Sequence, residues 1–476
     1  GKSSGALVRA APRTPLASSK RTLVTMGCAN SVLRGGDIVL TSNGISSPKL
    51  EREWMLLMLA RKGVTLQPGD AELPPGALKS KYLSFFQSLK FLVFSEPTYF
   101  MKPVPYGDTT ILRWLGWEGG ELRADGELNT FFHHSLRNPL NRPGGFAVPE
   151  PNITHVSMWD KPWLLTGGKC VYEDSKLKAG EICTDAEVAP YLELLAEVRR
   201  TYDAIKESER TGVLASLSRA LGFGALPKPG DAPLAKRLWE ASKQLNDFYG
   251  VHTDKWIKAQ LDAHDVVIFN GGDVMMGNLS CQINRRVADT IATHVRAGKI
   301  LYLGRSAGTM IAMKSVEMSA EVSDDWLAHM SCGESAREGL HYSNNDLDED
   351  GVSSNVLGGM PLIRATVAMR PHFVAGEMGA KVHAKALLAE KEFEKERRRE
   401  VDDATVARSK DADLETAVAL ANQVGTSRTQ DNPIFIPMWD GQALHCHVSV
   451  LGDETFSAAG ARMYVKPDEI DLMAPI

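Results

Sequence analysis

The chain has 476 residues, of which 43% are hydrophobic and 24% charged, and its formal net charge is -5. That length and apolar content suffice for one large α/β domain with insertions, or for two or three smaller domains. The acidic balance, with no nucleic-acid motif, excludes nucleic acid as an expected partner, and no run approaches the roughly 20 apolar residues that cross a bilayer.

The first 36 residues carry Lys2, Arg9, Arg13, Lys20, Arg21 and Arg34 but no acid, in a background of Ser, Ala and Pro. Three readings stand open. The segment has the composition of an organelle transit sequence, which would place the processed protein in a plastid or mitochondrion; it equally fits a disordered basic tail on a cytoplasmic protein, or an arm that docks on a partner. The six cysteines, Cys28, Cys170, Cys183, Cys281, Cys332 and Cys446, include no C-x-x-C pair. Neither a zinc site nor a disulfide framework is expected from them, and a reducing compartment is the simplest setting.

Structure opens at residues 37–42, a β-branched run that meets Asn43-Gly44 and then a helical stretch over 49–61. Strand, turn and helix in that order begin a doubly wound, mostly parallel sheet. A second buried strand is predicted at 91–94, closed by Ser95-Glu96-Pro97. Residues 98–232 change character, with many Gly, Pro and Trp before a helical stretch near 185–222, and read as an insertion. Helices are predicted over 236–248 and 254–263, then a strand over 266–270 that stops at Gly271-Gly272-Asp273. One long helix over 280–297 follows, with Gly298 in the C-cap place, and then a strand over 300–303. A further strand is predicted at 362–369, and residues 375–430 form a charged helical insertion whose run 390–403 reads as a solvated face. Residues 434–436 and 443–450 are expected to pair as an antiparallel hairpin around Asp440-Gly441, at the sheet edge. The α/β domain is thus split over 37–97 and 233–374, with 431–476 as its hairpin and tail.

The chemistry centres on Gly304-Arg305-Ser306-Ala307-Gly308, which fits G-x-S-x-G directly after a strand and before a helix-compatible stretch. Small residues on both sides allow the sharp turn that lifts a serine hydroxyl above a sheet edge. A serine is a weak nucleophile without a base within hydrogen-bond reach. Of the twelve histidines, His372 is the first choice, because it follows a predicted strand whose carboxyl end should lie on the elbow's side of the sheet. Backbone N–H groups are the usual donors to an oxyanion, and Ala307 and the side-chain-free Gly271-Gly272 turn are placed to supply them. The pair His133-His134 has no third ligand at a recognisable spacing, so a surface role is the better reading.

Asn43-Gly44, Gly271-Gly272-Asp273, Gly304-Arg305-Ser306-Ala307-Gly308 and Arg370-Pro371-His372-Phe373, in this order, resemble the dipeptidase E and cyanophycinase family of serine peptidases. The similarity covers about 37–60, 85–97, 255–325, 360–375 and 430–465. It implies a class I glutamine amidotransferase-like fold and cleavage of small acidic peptides or aspartate-containing polymers, with no cofactor and no metal. On the family pattern Ser306 is the nucleophile, His372 the histidine, and Gly272 and Ala307 the oxyanion donors. Glu321 stands at the offset of the supporting acid, with Glu317 and Asp324 close by. Arg305 and Arg370 depart from the family, which has an aromatic and an asparagine there. They either bind a substrate carboxylate or salt-bridge to Asp273 or Glu317 and close the pocket, and Asp273 is counted with them among the expected substrate-binding residues.

Three functional readings follow. The leading one is a serine hydrolase of small, acidic peptides. The second is a catalytically inactive relative that serves as a structural or scaffolding subunit, docking on proteins through its insertions or tail. The third is an ester hydrolase of α/β-hydrolase type, in which His445 or His447 would be the base. A glutaminase is disfavoured, since that chemistry in this fold uses cysteine at the elbow.

Overall fold

The computed structural model describes residues 35–45, 47–94, 96–98, 146, 148–164, 183, 185–211, 234–272, 274–313, 360, 362–365, 367–371, 414–424, 434–439 and 441–461. In chain order the strands are β1 (Gly36–Thr41), β2 (Phe91–Phe94), β3 (Ile153–Val156), β4 (Val266–Phe269), β5 (Leu301–Arg305), β6 (Val367–Arg370), β7 (Ile434–Pro437), β8 (Gln442–Val448) and β9 (Glu454–Gly460). The helices are α1 (Pro48–Arg61), α2 (Pro75–Lys81), α3 (Leu83–Ser88), α4 (Asp185–Thr211), α5 (Leu234–Phe248), α6 (Gly250–Ala263), α7 (Val274–Ile283), α8 (Arg285–Arg296), α9 (Ala307–Ile311) and α10 (Leu414–Val424). The protein is therefore α/β, and its main sheet has seven strands in the order β3-β2-β4-β5-β1-β8-β9. The five strands from β3 to β1 are parallel, and β8 and β9 add an antiparallel hairpin beside β1.

The central strands are short runs of apolar residues because both faces of the sheet are covered. Every residue of β2 and β4 is buried. Successive side chains alternate between two cores, as a period of two requires. Val39, Val93, Ile268 and Leu303 join Trp54, Met58 and Phe86 of α1 and α3, whereas Leu40, Val267, Phe269 and Tyr302 join Leu238, Ile257, Val287 and Ile291 of α5, α6 and α8. Helix α1 starts where Ser47 caps it, accepting from Leu50 N–H at 3.3 Å, and Pro48 supplies a first residue with no N–H to satisfy. The same Ser47 hydroxyl donates to Gly441 O at 2.7 Å, which ties the helix start to the beginning of β8.

Within the stretch 98–232, β3 pairs in parallel with β2 and extends the main sheet. Three expectations are corrected. Residues 434–437 do not pair with β8. Both edges of β8 are occupied, by β1 and by β9, so the hairpin turns at Val450-Leu451-Gly452, and β7 instead pairs in parallel with β6. For that reason the strand expected at 362–369 belongs to a separate two-stranded sheet. Finally, the single helix expected over 280–297 is two helices, broken at Asn284 (φ -116°, ψ 40°).

The break at Asn284 has a visible cause. Its Nδ2 donates to Ser280 O at 2.9 Å, and its Oδ1 accepts from Lys161 Nζ at 2.7 Å. Lys161 is fully buried and adopts a left-handed backbone (φ 44°) after the 3-10 turn Met158–Asp160. Its amine also reaches Ser242 Oγ at 2.6 Å and Asn246 Oδ1 at 3.2 Å, with the ring of Tyr191 4.6 Å away. Burial pulls the Lys161 amine well below the usual lysine range, while the acceptors around it favour the charged form. Ser242 Oγ spends its proton on Ile283 O, and Asn246 Nδ2 donates to the same carbonyl, so both turn an oxygen to the lysine. Three acceptors call for three N–H groups, which the ammonium has and the neutral amine lacks. Lys161→Met, which keeps much of the volume, is expected to lower stability by about 3 kcal/mol because it orphans the buried side-chain oxygens of Asn246 and Asn284 and takes one of two donors from Ser242 Oγ. Urea unfolding checks this, and wild-type stability in the variant would remove the ammonium from its bridging role.

At the start of β1, Asp37 Oδ1 accepts from His445 Nε2 and His447 Nδ1, both at 3.0 Å, and Oδ2 is paired with Arg61. Burial works against the Asp37 carboxylate, yet hydrogen bonds from His445 and His447 and the Arg61 charge hold it far below the usual range. The hydrogen bond to Asp37 in turn raises His447. A raised histidine contributes stability that is complete below its unfolded pKa and is lost as pH rises through the folded value; a depressed carboxylate contributes above its unfolded pKa and is lost on acidification. The cluster is therefore strongest between about pH 4 and pH 6.5. In thermal melts across pH 3 to 9, Asp37→Asn is expected to cost about 2 kcal/mol inside that window and to flatten the profile.

Candidate active site

The carboxyl ends of β1, β4 and β5 meet at one edge of the sheet, where ligands of open α/β sheets bind. Ser306 follows β5 and is the residue before α9. Its backbone angles, φ 47° and ψ -113°, lie where a residue with a Cβ rarely sits. Four hydrogen bonds hold it there. Its N–H is shared between Thr41 O at 3.1 Å and Ser42 O at 3.0 Å, and its carbonyl accepts from Thr309 N at 2.9 Å and Met310 N at 3.2 Å.

The glycines of the motif are demanded by close approach. A Cβ on Gly308 would lie 2.1 Å from Phe269 O, and one on Gly304 would lie 3.0 Å from Gly308 O. Gly308 N–H then reaches Asn270 O at 3.1 Å, and the Tyr302 hydroxyl donates to Gly308 O at 2.6 Å. The turn after β4 passes equally close to the serine. A Cβ on Gly271 would stand 3.0 Å from Ser306 Cβ, and Gly272 takes φ 136°, open to glycine and little else.

Several braces around the elbow carry no motif. Thr41 Oγ1 donates to Gly304 O at 2.7 Å and accepts from Gly44 N at 3.0 Å, while Thr41 O also accepts from Thr309 Oγ1 at 2.8 Å. Asn270 Oδ1 accepts from Gly271 N at 2.9 Å and from Arg305 Nη1 at 3.2 Å. Glu96, after β2, accepts from Met158 N–H after β3, and burial lifts its carboxyl to about 8, so it is largely the neutral acid at pH 7. Thr41 and Asn270 were legible in the sequence only as the last residues before the turns that did attract attention.

Of the site residues expected from sequence, the structure brings together Ser306, Ala307, Gly272 and Arg305. Ala307 is buried and Arg305 half-buried. The backbone of Arg370 ends β6 opposite Pro437. This strand is anchored beyond the elbow helix, since Met369 N–H donates to Met313 Sδ and Leu362 N–H to Ala312 O. His372, Glu321, Glu317, Asp324, Asp273 and the pair His133-His134 lie outside the described residues. His445 and His447 sit toward the opposite end of β1, with Asp37.

A groove of about 830 Å³ opens at the amino-terminal edge of the parallel strands, away from Ser306, and Arg61, Lys62, Arg296 and Arg364 are among its lining. Three of these side chains are engaged, Arg61 with Asp37, Lys62 with Asp265 and Arg296 with Glu454. Among the described residues no cluster of His, Cys, Asp and Glu is arranged to hold a metal, and no helix is long and apolar enough to cross a membrane. Cys183, Cys281 and Cys446 are buried. No family model, curated protein or solved structure matches the chain.

The strained serine has a measurable consequence. Ser306→Gly is expected to raise stability by about 1 kcal/mol, because glycine adopts φ 47° without a Cβ penalty. Gly308→Ala, with its Cβ forced against Phe269 O, should destabilise severely. Denaturant midpoints of the two variants against wild type test the pair.

Proposed function

We propose that this chain is a serine hydrolase of peptide or amide bonds with a class I glutamine amidotransferase-like fold, akin to the dipeptidase E and cyanophycinase peptidases. The observation that carries the reading is the left-handed backbone of Ser306 between β5 and α9, in contact range of the Gly271-Gly272 turn. Strain of this kind persists where surrounding bonds impose it, and it collects at functional sites.

In this mechanism Ser306 Oγ attacks the substrate carbonyl carbon as His372 takes its proton. The carbonyl oxygen becomes an oxyanion and accepts from the N–H groups of Gly272 and Ala307. His372 then gives the proton to the leaving amine, and water, activated by the same imidazole, releases the acyl group. Glu321 supports the imidazolium. Arg305, with Arg370, selects substrates that carry a carboxylate. The ester-hydrolase alternative loses ground because His445 Nε2 and His447 Nδ1 are both committed to Asp37, toward the far end of β1.

The test is labelling of the purified protein with a fluorophosphonate probe, beside Ser306→Ala and a panel of aspartyl dipeptides. Labelling that vanishes in the variant, with dipeptide cleavage, is expected. An unlabelled, inert wild type would leave the scaffolding reading.

A further inference from the structure

Asn270 is the residue on which the turn after β4, the elbow and the flanking arginine all converge. It is 1% exposed and follows the last residue of β4. Its N–H donates to Phe94 O at 3.1 Å, fixing it to the end of β2, and its carbonyl accepts from Gly308 N at 3.1 Å, fixing it to α9. Its side-chain oxygen accepts from Gly271 N at 2.9 Å and from Arg305 Nη1 at 3.2 Å.

We propose that Asn270 is the positioning residue of this site, a neutral amide that holds the Gly271-Gly272 turn and the Arg305 guanidinium in one geometry relative to Ser306. The inference rests on the hydrolase reading above. Gly271 packs so tightly on Ser306 that a Cβ there would stand 3.0 Å from the serine Cβ. A rotation of the Gly271 peptide therefore moves the next N–H, that of Gly272, relative to the serine hydroxyl. The Asn270 side chain blocks that rotation by holding Gly271 N–H. Through Arg305 Nη1 the same oxygen also fixes the group that would meet a substrate carboxylate, so the oxyanion donor and the selectivity determinant share one anchor.

The amide also has a chemical role that a carboxylate would not fill. An aspartate at 270 would accept from both donors and bind Arg305 more strongly, but it would set a negative charge beside the place where the oxyanion develops, in a largely water-excluded setting. A buried asparagine that caps its own turn is common, and in that role an aspartate is an adequate substitute. The two possibilities separate at Asn270→Asp.

The experiment measures the second-order rate of fluorophosphonate labelling for wild type, Asn270→Ala and Asn270→Asp, with the melting temperature of each and the labelling rate from pH 5 to 9. Asn270→Asp is expected to melt with wild type yet label about ten-fold or more slowly, with half-maximal labelling moved to higher pH because the new charge favours a protonated base. Asn270→Ala is expected to be slow as well; should it fail to fold, Asn270→Asp decides alone. A folded Asn270→Asp that labels at the wild-type rate with an unmoved pH profile overturns the assignment and leaves the hydrolase reading standing. An unlabelled wild type overturns both.

Discussion

The amide of Ser306 points at two carbonyls at once, those of Thr41 and Ser42. Because these oxygens belong to the end of β1 while Ser306 belongs to the end of β5, the shared bond joins two parallel strands just past their last register pair, Thr41 with Arg305. A residue with a side chain would leave φ 47° if released, at a gain of about 1–3 kcal/mol. The rest of the site reads as what prevents that release. Thr41 clamps Gly304 and Thr309, Tyr302 clamps the Gly308 carbonyl, and Asn270 holds the Gly308 amide. Each clamp is buried, so water offers these backbone groups no substitute partner.

The two halves of the molecule outside the elbow obey the same logic on a larger scale. Lys161 brings its amine to a place where three side-chain oxygens are turned inward, and by doing so it fixes the segment after β3 to α5 and to the joint between α7 and α8. Asp37 gathers two histidines and an arginine at the foot of β1. Polar groups at such depth stabilise one arrangement and penalise its neighbours, because a shifted register would leave each of them without its partner.

Much of the central sheet was legible because its strands are continuous apolar runs bounded by turn residues. The positions of β1, β2, β4 and β5 follow from residues 37–42, 91–94, 266–270 and 300–303 almost residue for residue. Pairing was less legible. Nothing local in residues 434–437 reveals that the edges of β8 are taken by β1 and β9, since those edges are filled by strands distant in sequence or beyond the expected turn. The break at Asn284 was hidden for a related reason: the helical pattern runs through it, and the lysine that holds it open lies at position 161. At the site, motifs announced Ser306 and the glycines because steric demand leaves few residue types possible. Thr41 and Asn270 act through hydrogen bonds that many polar residues make, so their identity alone carried no signal.

The place of β1 in the sheet has a consequence for biosynthesis. It precedes every other described strand, yet its two neighbours are β5 and β8, and the bond from Thr41 Oγ1 to Gly304 O spans 263 residues. A nascent chain emerging from the ribosome carries this apolar strand with both edges unsatisfied until β5 and then β8 have been synthesised. Loop closure over such spans is slow, and open strand edges attract foreign strands meanwhile. The geometry of the serine thus waits until β5 and α9 have followed β1 out of the ribosome, with an open strand edge on β1 in the meantime.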